Sequence, residues 1–145
     1  MERNTVGYLK VILGPMFAGK TSELIRIYNT YMNIDQASIA VINHSFDKRY
    51  INKDKVSYIV THDEKKLPSL NFTNLTDFVN EININTYNVI LINEGQFFPD
   101  LYVVVDLLVN TYNKKVYVCG LDGDFKRNKF GEMLDIISLA DDVVK

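Results

Sequence analysis

Val6-Gly7-Tyr8-Leu9-Lys10-Val11-Ile12-Leu13, running into Gly14-Pro15-Met16-Phe17-Ala18-Gly19-Lys20-Thr21, decides the fold of this chain. The first stretch reads as a buried strand. The second fits the phosphate-binding pattern G-x-x-x-x-G-K-[ST] at every fixed position. Two glycines let the backbone turn so that its N–H groups point inward at phosphate oxygens. Lys20 adds a cation for the β and γ phosphates, and the Thr21 hydroxyl can ligate Mg²⁺. Ser22 to Met32 then reads as a helix, with Leu24, Tyr28, Tyr31 and Met32 on one face. Its free N–H groups and positive dipole end would face the anion. Strand, loop and helix together predict a nucleoside-triphosphate site.

Working outward, strands and helices alternate. Ala37 to Ile42 reads as a short strand, Asn43 to Lys55 as a polar charged segment, and Ser57 to Val60 as a further strand. Thr61 to Pro68 is turn-like. Leu75, Phe78, Val79 and Ile82 share a helical face. Asn88 to Ile92 is apolar without alternation, the mark of a central strand covered on both faces. Leu101, Val104, Val105 and Leu108 outline a helix despite a β-branched run that disfavours one. Val116 to Cys119 is a strand, followed by a loop with Gly120, Gly123 and Gly131. Met133 to Val144 reads as a short helix with room for a last strand. This order predicts an α/β fold with a largely parallel sheet and helices on both faces. Ligands of such sheets sit beyond the carboxyl ends of the strands. That rule selects Glu94, Gln96, Phe97 and Phe98 after one strand, and Leu121, Asp122, Asp124, Phe125, Lys126 and Arg127 after the next.

The bulk composition agrees with one soluble domain over residues 1–145. The chain is 47% hydrophobic with a net charge of −2, and no apolar run approaches a membrane span or secretory signal. Scattered lysines do not indicate a nucleic-acid surface. Cys119 is the only cysteine, which excludes an internal disulfide and a multi-cysteine zinc site and suits a reducing cytoplasm. Its place in a strand predicts a buried structural thiol. His44 and His62 belong to no metal-spaced cluster, and loop polar contacts are expected for both.

Gly14–Thr21, Asn93-Glu94-Gly95-Gln96-Phe97-Phe98 and Leu121-Asp122-Gly123-Asp124-Phe125, in this order, make the chain resemble a type II thymidine kinase, the cellular and poxvirus type. Asp47-Lys48-Arg49-Tyr50, Thr61-His62-Asp63, Lys126 to Gly131 and Leu139-Ala140-Asp141 agree, so the likeness covers nearly the whole chain. The resemblance implies a RecA-like P-loop fold and ATP-dependent phosphorylation of the 5′-hydroxyl of deoxythymidine, a step of nucleotide salvage and DNA precursor synthesis. It implies Glu94 as general base, with Lys20 and Arg49 neutralising the transferred group. Gly14, Pro15, Met16, Phe17, Ala18, Gly19, Lys20, Thr21, Asn93 and Gln96 would hold the nucleotide, and Thr21 and Asn93 the Mg²⁺. Met16, Phe97, Leu121, Phe125 and Phe130 would surround the thymine, with Asp47 on the sugar side, as Gln96 would also be. Asp122 has a turn-capping alternative. Homotetramers and feedback by thymidine triphosphate are also implied.

Two departures qualify the likeness. The family usually carries Asp where Asn93 stands, and a neutral amide is a weaker partner for hard Mg²⁺, so a raised metal requirement is expected. The family also continues past this point into a zinc subdomain with two cysteine pairs and a loop over the base. That subdomain has no counterpart here, so no zinc site is expected, and a fragment is the expected status of the chain. Two other readings stay open: a nucleotide-binding module or truncated homologue with little turnover, and a P-loop ATPase or regulatory subunit of other function.

Overall fold

The computed structural model describes residues 6–14, 19–34, 36–45, 57–60, 66–123, 126 and 128–145. Within them, the opening run forms β1 (Tyr8–Leu13), and α1 (Lys20–Met32) begins at the lysine of the glycine-rich motif, earlier than Ser22. Next come β2 (Ile39–His44), β3 (Ser57–Val60) and β4 (Lys66–Phe72). The chain continues through α2 (Leu75–Glu81), β5 (Val89–Asn93), α3 (Leu101–Asp106), β6 (Lys115–Gly120) and β7 (Asp142–Val144). These strands form one seven-stranded sheet in the order β3–β4–β2–β5–β6–β1–β7. Every neighbouring pair is parallel except β3 with β4.

Period-two side-chain alternation splits the apolar strands between two layers. On one face Ile12, Val41, Val89, Leu91 and Cys119 meet Leu24, Ile25 and Ile27 of α1. On the other, Leu9, Val11, Ile42, Ile90, Ile92, Val116 and Val118 meet α2 and α3 through Leu75, Phe78, Leu101, Val104 and Val105. The uninterrupted apolar run of β5 follows from this double cover, and all of its residues are buried. The core-facing seam of α1 is Leu24, Ile27, Tyr28 and Tyr31, spaced i, i+3, i+4 and i+7. Met32, expected on that face, is exposed; it is the last residue of α1.

One further expectation needs correction. Thr61–Pro68 reads as a turn, yet β4 starts at Lys66 and includes Pro68. Pro68 lies opposite Tyr58 of β3, while pairing with β2 begins at Leu70, so the N–H that proline lacks falls before that second ladder. The segment after Gly131 forms a short 3₁₀ turn, Asp135–Leu139, and then β7 pairs with β1 from Lys10 to Ile12.

Caps hold the helices in place. The Asn74 side chain accepts from the Asp77 N–H at 2.8 Å, and the Asp100 carboxylate accepts from the Leu75 and Thr76 N–H groups at 2.9 and 2.8 Å. The carboxylate before α3 thus caps α2. The apolar positions expected of α3 are all buried, and its β-branched run opens into a π turn, Leu107–Thr111. Among the described residues no helix is long and apolar enough to cross a membrane.

Candidate active site

Parallel pairing brings the carboxyl ends of β1, β2, β5 and β6 to one rim of the sheet. After β1 comes buried Gly14, and α1 starts beyond Gly19, whose φ of 84° lies in the left-handed region that glycine adopts at little cost. The Gly19 carbonyl receives the Glu23 N–H at 3.1 Å. The Lys20 Nζ reaches back to the Gly14 carbonyl at 3.0 Å, closing the mouth of the glycine-rich segment. Thr21 stands half-buried in the first turn of α1. Pro15, Met16, Phe17 and Ala18 lie outside the described residues.

At the end of β5, Asn93 is only 6% exposed, and both ends of its amide are taken. Its Oδ1 accepts from the Cys119 thiol at 3.2 Å, and its Nδ2 donates to Asn43 Oδ1 at 3.2 Å. The register Asn43–Asn93 makes the second contact possible. Glu94 follows with φ 58°, a left-handed conformation uncommon for a residue with a side chain. That turn lifts its half-buried carboxylate out of the strand direction. The Gln96 Nε2 donates to Glu94 Oε2 at 2.8 Å, and Gln96 Oε1 accepts from the Leu121 N–H at 3.0 Å.

The strand order sets how far apart these pieces stand. β6 separates β5 from β1, so two inter-strand spacings, about 10 Å, lie between the Glu94 strand end and the glycine-rich loop. That gap suits a terminal phosphate with an acceptor hydroxyl beside it. The Cys119 thiol, on β6 between them, senses both groups. Burial pushes it far up from its ordinary value; the Glu94 carboxylate adds to the rise and the Lys20 ammonium opposes it. The thiol is thus a buried structural donor, as its strand position suggested, and the carboxylate and ammonium act on the same atom.

The segment after β6 closes one side. Leu121 and Phe130 are half-buried, and Phe130 packs edge-to-face on Phe97 with centroids 5.4 Å apart. A Cβ at Gly131, where φ is 58°, would overlap the Gln96 backbone carbonyl. Asp122 meets Lys145 at 2.8 Å, which holds its carboxyl below the usual carboxylate range. Arg49, Asp47 and Phe125, with Asp124, Arg127 and His62, lie outside the described residues.

One residue at the rim, expected to make loop polar contacts, was not among the predicted site residues. His44, at the end of β2, packs against Phe98 and Phe97 at centroid distances of 4.9 and 5.5 Å. Burial lowers its pKa; a hydrogen bond with the Thr73 backbone and the nearby Glu94 carboxylate partly offset that. A strand-end position next to the β5 turn was the only available signal. Among the described residues no group of three or more His, Cys, Asp or Glu is placed to hold a metal ion.

Comparison with known proteins assigns the chain to a family. The thymidine kinase family model matches residues 7–145. A thymidine kinase of Oryza sativa subsp. japonica is 42% identical over 142 residues, covering 96% of this chain and 51% of that protein. Thymidine kinase a of Arabidopsis thaliana is 41% identical over 148 residues, covering 100% of this chain and 60% of that protein. The thymidine kinase of Yaba monkey tumor virus is 42% identical over 141 residues, covering 96% and 72%. The chain therefore spans about half to three fifths of the plant relatives' length and more of the viral one. With the family model spanning nearly every residue, the chain belongs to the thymidine kinase family.

Proposed function

We propose that this chain transfers the γ-phosphoryl group of ATP to the 5′-hydroxyl of deoxythymidine, giving ADP and dTMP, on a RecA-like P-loop fold. One arrangement supports this above the others: the Lys20 ammonium, which donates to the Gly14 carbonyl just after β1, and the Glu94 carboxylate just after β5 stand at the same rim of the sheet, about two strand spacings apart. The acceptor hydroxyl gives its proton to Glu94 as its oxygen bonds to phosphorus, and the bond to the ADP oxygen breaks. Lys20, with Arg49, stabilises the charge spread over the transferred group. Phe97, Leu121 and Phe130 form a wall for the thymine; by the family resemblance Met16 and Phe125 serve the base as well, and Asp47 the sugar.

The Thr21 hydroxyl and the triphosphate oxygens would hold Mg²⁺, which neutralises phosphate charge when bound. Asn93 contributes little to that donor set, since its amide is committed to Cys119 and Asn43. This same commitment favours the second reading, a nucleotide-binding protein with low turnover. Cytoplasmic location, homotetramer assembly and feedback by thymidine triphosphate belong to this proposal as well.

The test is phosphoryl transfer from labelled ATP to thymidine by the chain and its Glu94→Gln variant. The substitution should leave nucleotide binding intact and slow transfer by about 10²–10⁴-fold. An equal rate in both proteins removes Glu94 from the chemistry. Nucleotide binding without any transfer selects the second reading.

A further inference from the structure

The turn that carries Glu94 is strained and short. The Glu94 φ of 58° is maintained by a 3₁₀ turn whose one backbone bond at its start runs from the Phe97 N–H to the Glu94 carbonyl at 3.1 Å. A glutamate side chain on such a turn has several rotamers open to it, and phosphoryl transfer depends on one of them. Gln96 supplies the constraint. It is 4% exposed, and its amide bridges two separate segments: Nε2 donates to Glu94 Oε2 at 2.8 Å, and Oε1 accepts from the Leu121 N–H at 3.0 Å. A buried amide with both ends satisfied has little freedom to turn.

The surroundings tighten the joint further. A Cβ added at Gly120 would collide with Gln96 Oε1 and come within 2.9 Å of Met133 Sδ, so only glycine leaves room for the amide. Gly131 lies against the Gln96 backbone in the same way, and the neighbouring Phe97 packs on Phe130. With the Leu121 hydrogen bond, four contacts therefore tie the Glu94–Phe97 turn to the segment from Gly120 to Gly131.

We propose that Gln96 is a positioning residue: its amide fixes the Glu94 carboxylate and couples it to the Leu121–Gly131 segment, so that a base seated against Leu121 and Phe130 sets the orientation of the proton acceptor. This rests on the proposed role of Glu94. It gives Gln96 a task through Glu94 rather than on the nucleotide itself.

The experiment measures kcat and KM for thymidine and for ATP in the parent, Gln96→Met, Glu94→Gln and the double variant. Methionine keeps the volume and removes both hydrogen bonds. Gln96→Met should lower kcat by about 10–100-fold, the scale of a misplaced catalytic group, while the KM for ATP stays within about threefold. In the Glu94→Gln background the same change should lower kcat no further, because the carboxylate to be oriented is already gone. A purely structural glutamine would instead give the same loss in both backgrounds, and that outcome overturns the proposal. A parent-like kcat for Gln96→Met overturns it too, provided Glu94→Gln is slow. If Glu94→Gln is itself as fast as the parent, the role of Glu94 falls first and this coupling with it. Should Gln96→Met melt below the assay temperature, Gln96→Glu carries the test: it still accepts from Leu121, places a second carboxylate against Glu94, and should show the same fall in kcat.

Discussion

Replacing Asn93 by aspartate probes the buried polar chain beneath the site and the metal at once. Asn93 is 6% exposed, donates to Asn43 Oδ1 at 3.2 Å and accepts from Cys119 at 3.2 Å. An ionised aspartate has no donor for Asn43 and brings a charge into this nearly dry position. One buried acceptor left without its donor costs about 1–3 kcal/mol. At about 3 °C per kcal/mol for a chain of this size, Asn93→Asp should melt roughly 3–9 °C lower at pH 7. The pH dependence has a fixed sign. Burial, with only the weak Cys119 thiol as donor, raises the folded-state pKa of the new carboxyl above its unfolded value of about 3.9. The unfolded chain then ionises first as pH rises, so the deficit develops above about pH 4 and is smallest at and below it, where a protonated carboxyl can donate to Asn43 again. The same carboxylate should lower the Mg²⁺ concentration needed for half-maximal phosphoryl transfer, since it adds an anionic oxygen at the β5 end of the proposed site. Thermal melts at pH 4 and 7 and a Mg²⁺ titration of the rate measure both effects. An unchanged melting temperature at pH 7 would show that the Asn43–Asn93–Cys119 contacts contribute nothing. An unchanged Mg²⁺ requirement would place the metal away from the β5 end.

Two further outcomes follow from the geometry. Asp100→Ala removes the carboxylate that caps Leu75 and Thr76 from outside α2, and should cost about 1–2 kcal/mol in urea unfolding, with the loss of protection from hydrogen exchange concentrated in α2; uniform loss across the sheet would refute the capping account. His44 has its pKa lowered in the folded state by burial, against the opposing effects of Thr73 and Glu94. The unfolded chain therefore binds the proton more tightly, and stability should fall as pH drops below about 6.5. His44→Gln should flatten that acid-side slope in melts at pH 7 and 5.5; an identical slope in parent and variant would assign the acid sensitivity elsewhere.

How far the sequence reached can be judged element by element. β1 and α1 were legible because their signals are local: an apolar run and a 3.6-residue seam. The missed strand β4 shows where local signals fail. Pro68, Ser69 and Asn71 favour a turn by their own chemistry, yet Lys66–Phe72 becomes a strand because β2 and β3 offer ladders on its two sides. The rim was legible as a rule about strand ends, which picked out Glu94, Gln96, Phe97 and Leu121, but not His44, whose ring is brought to Phe97 and Phe98 by the β2–β5 pairing.

By itself the sequence determined the alternating α/β order, the first strand and the helix after it, and the identity of the acidic residue after β5, because each is written in neighbours along the chain. Only the tertiary structure decided that Gln96 joins Glu94 to Leu121, that Asn93 turns inward to Cys119 and Asn43, and that Asp100 caps α2. Most of those partners are tens of residues apart. Their meeting depends on which strands lie side by side, and strand order is fixed by packing two helical layers on one sheet rather than by any short pattern of residues.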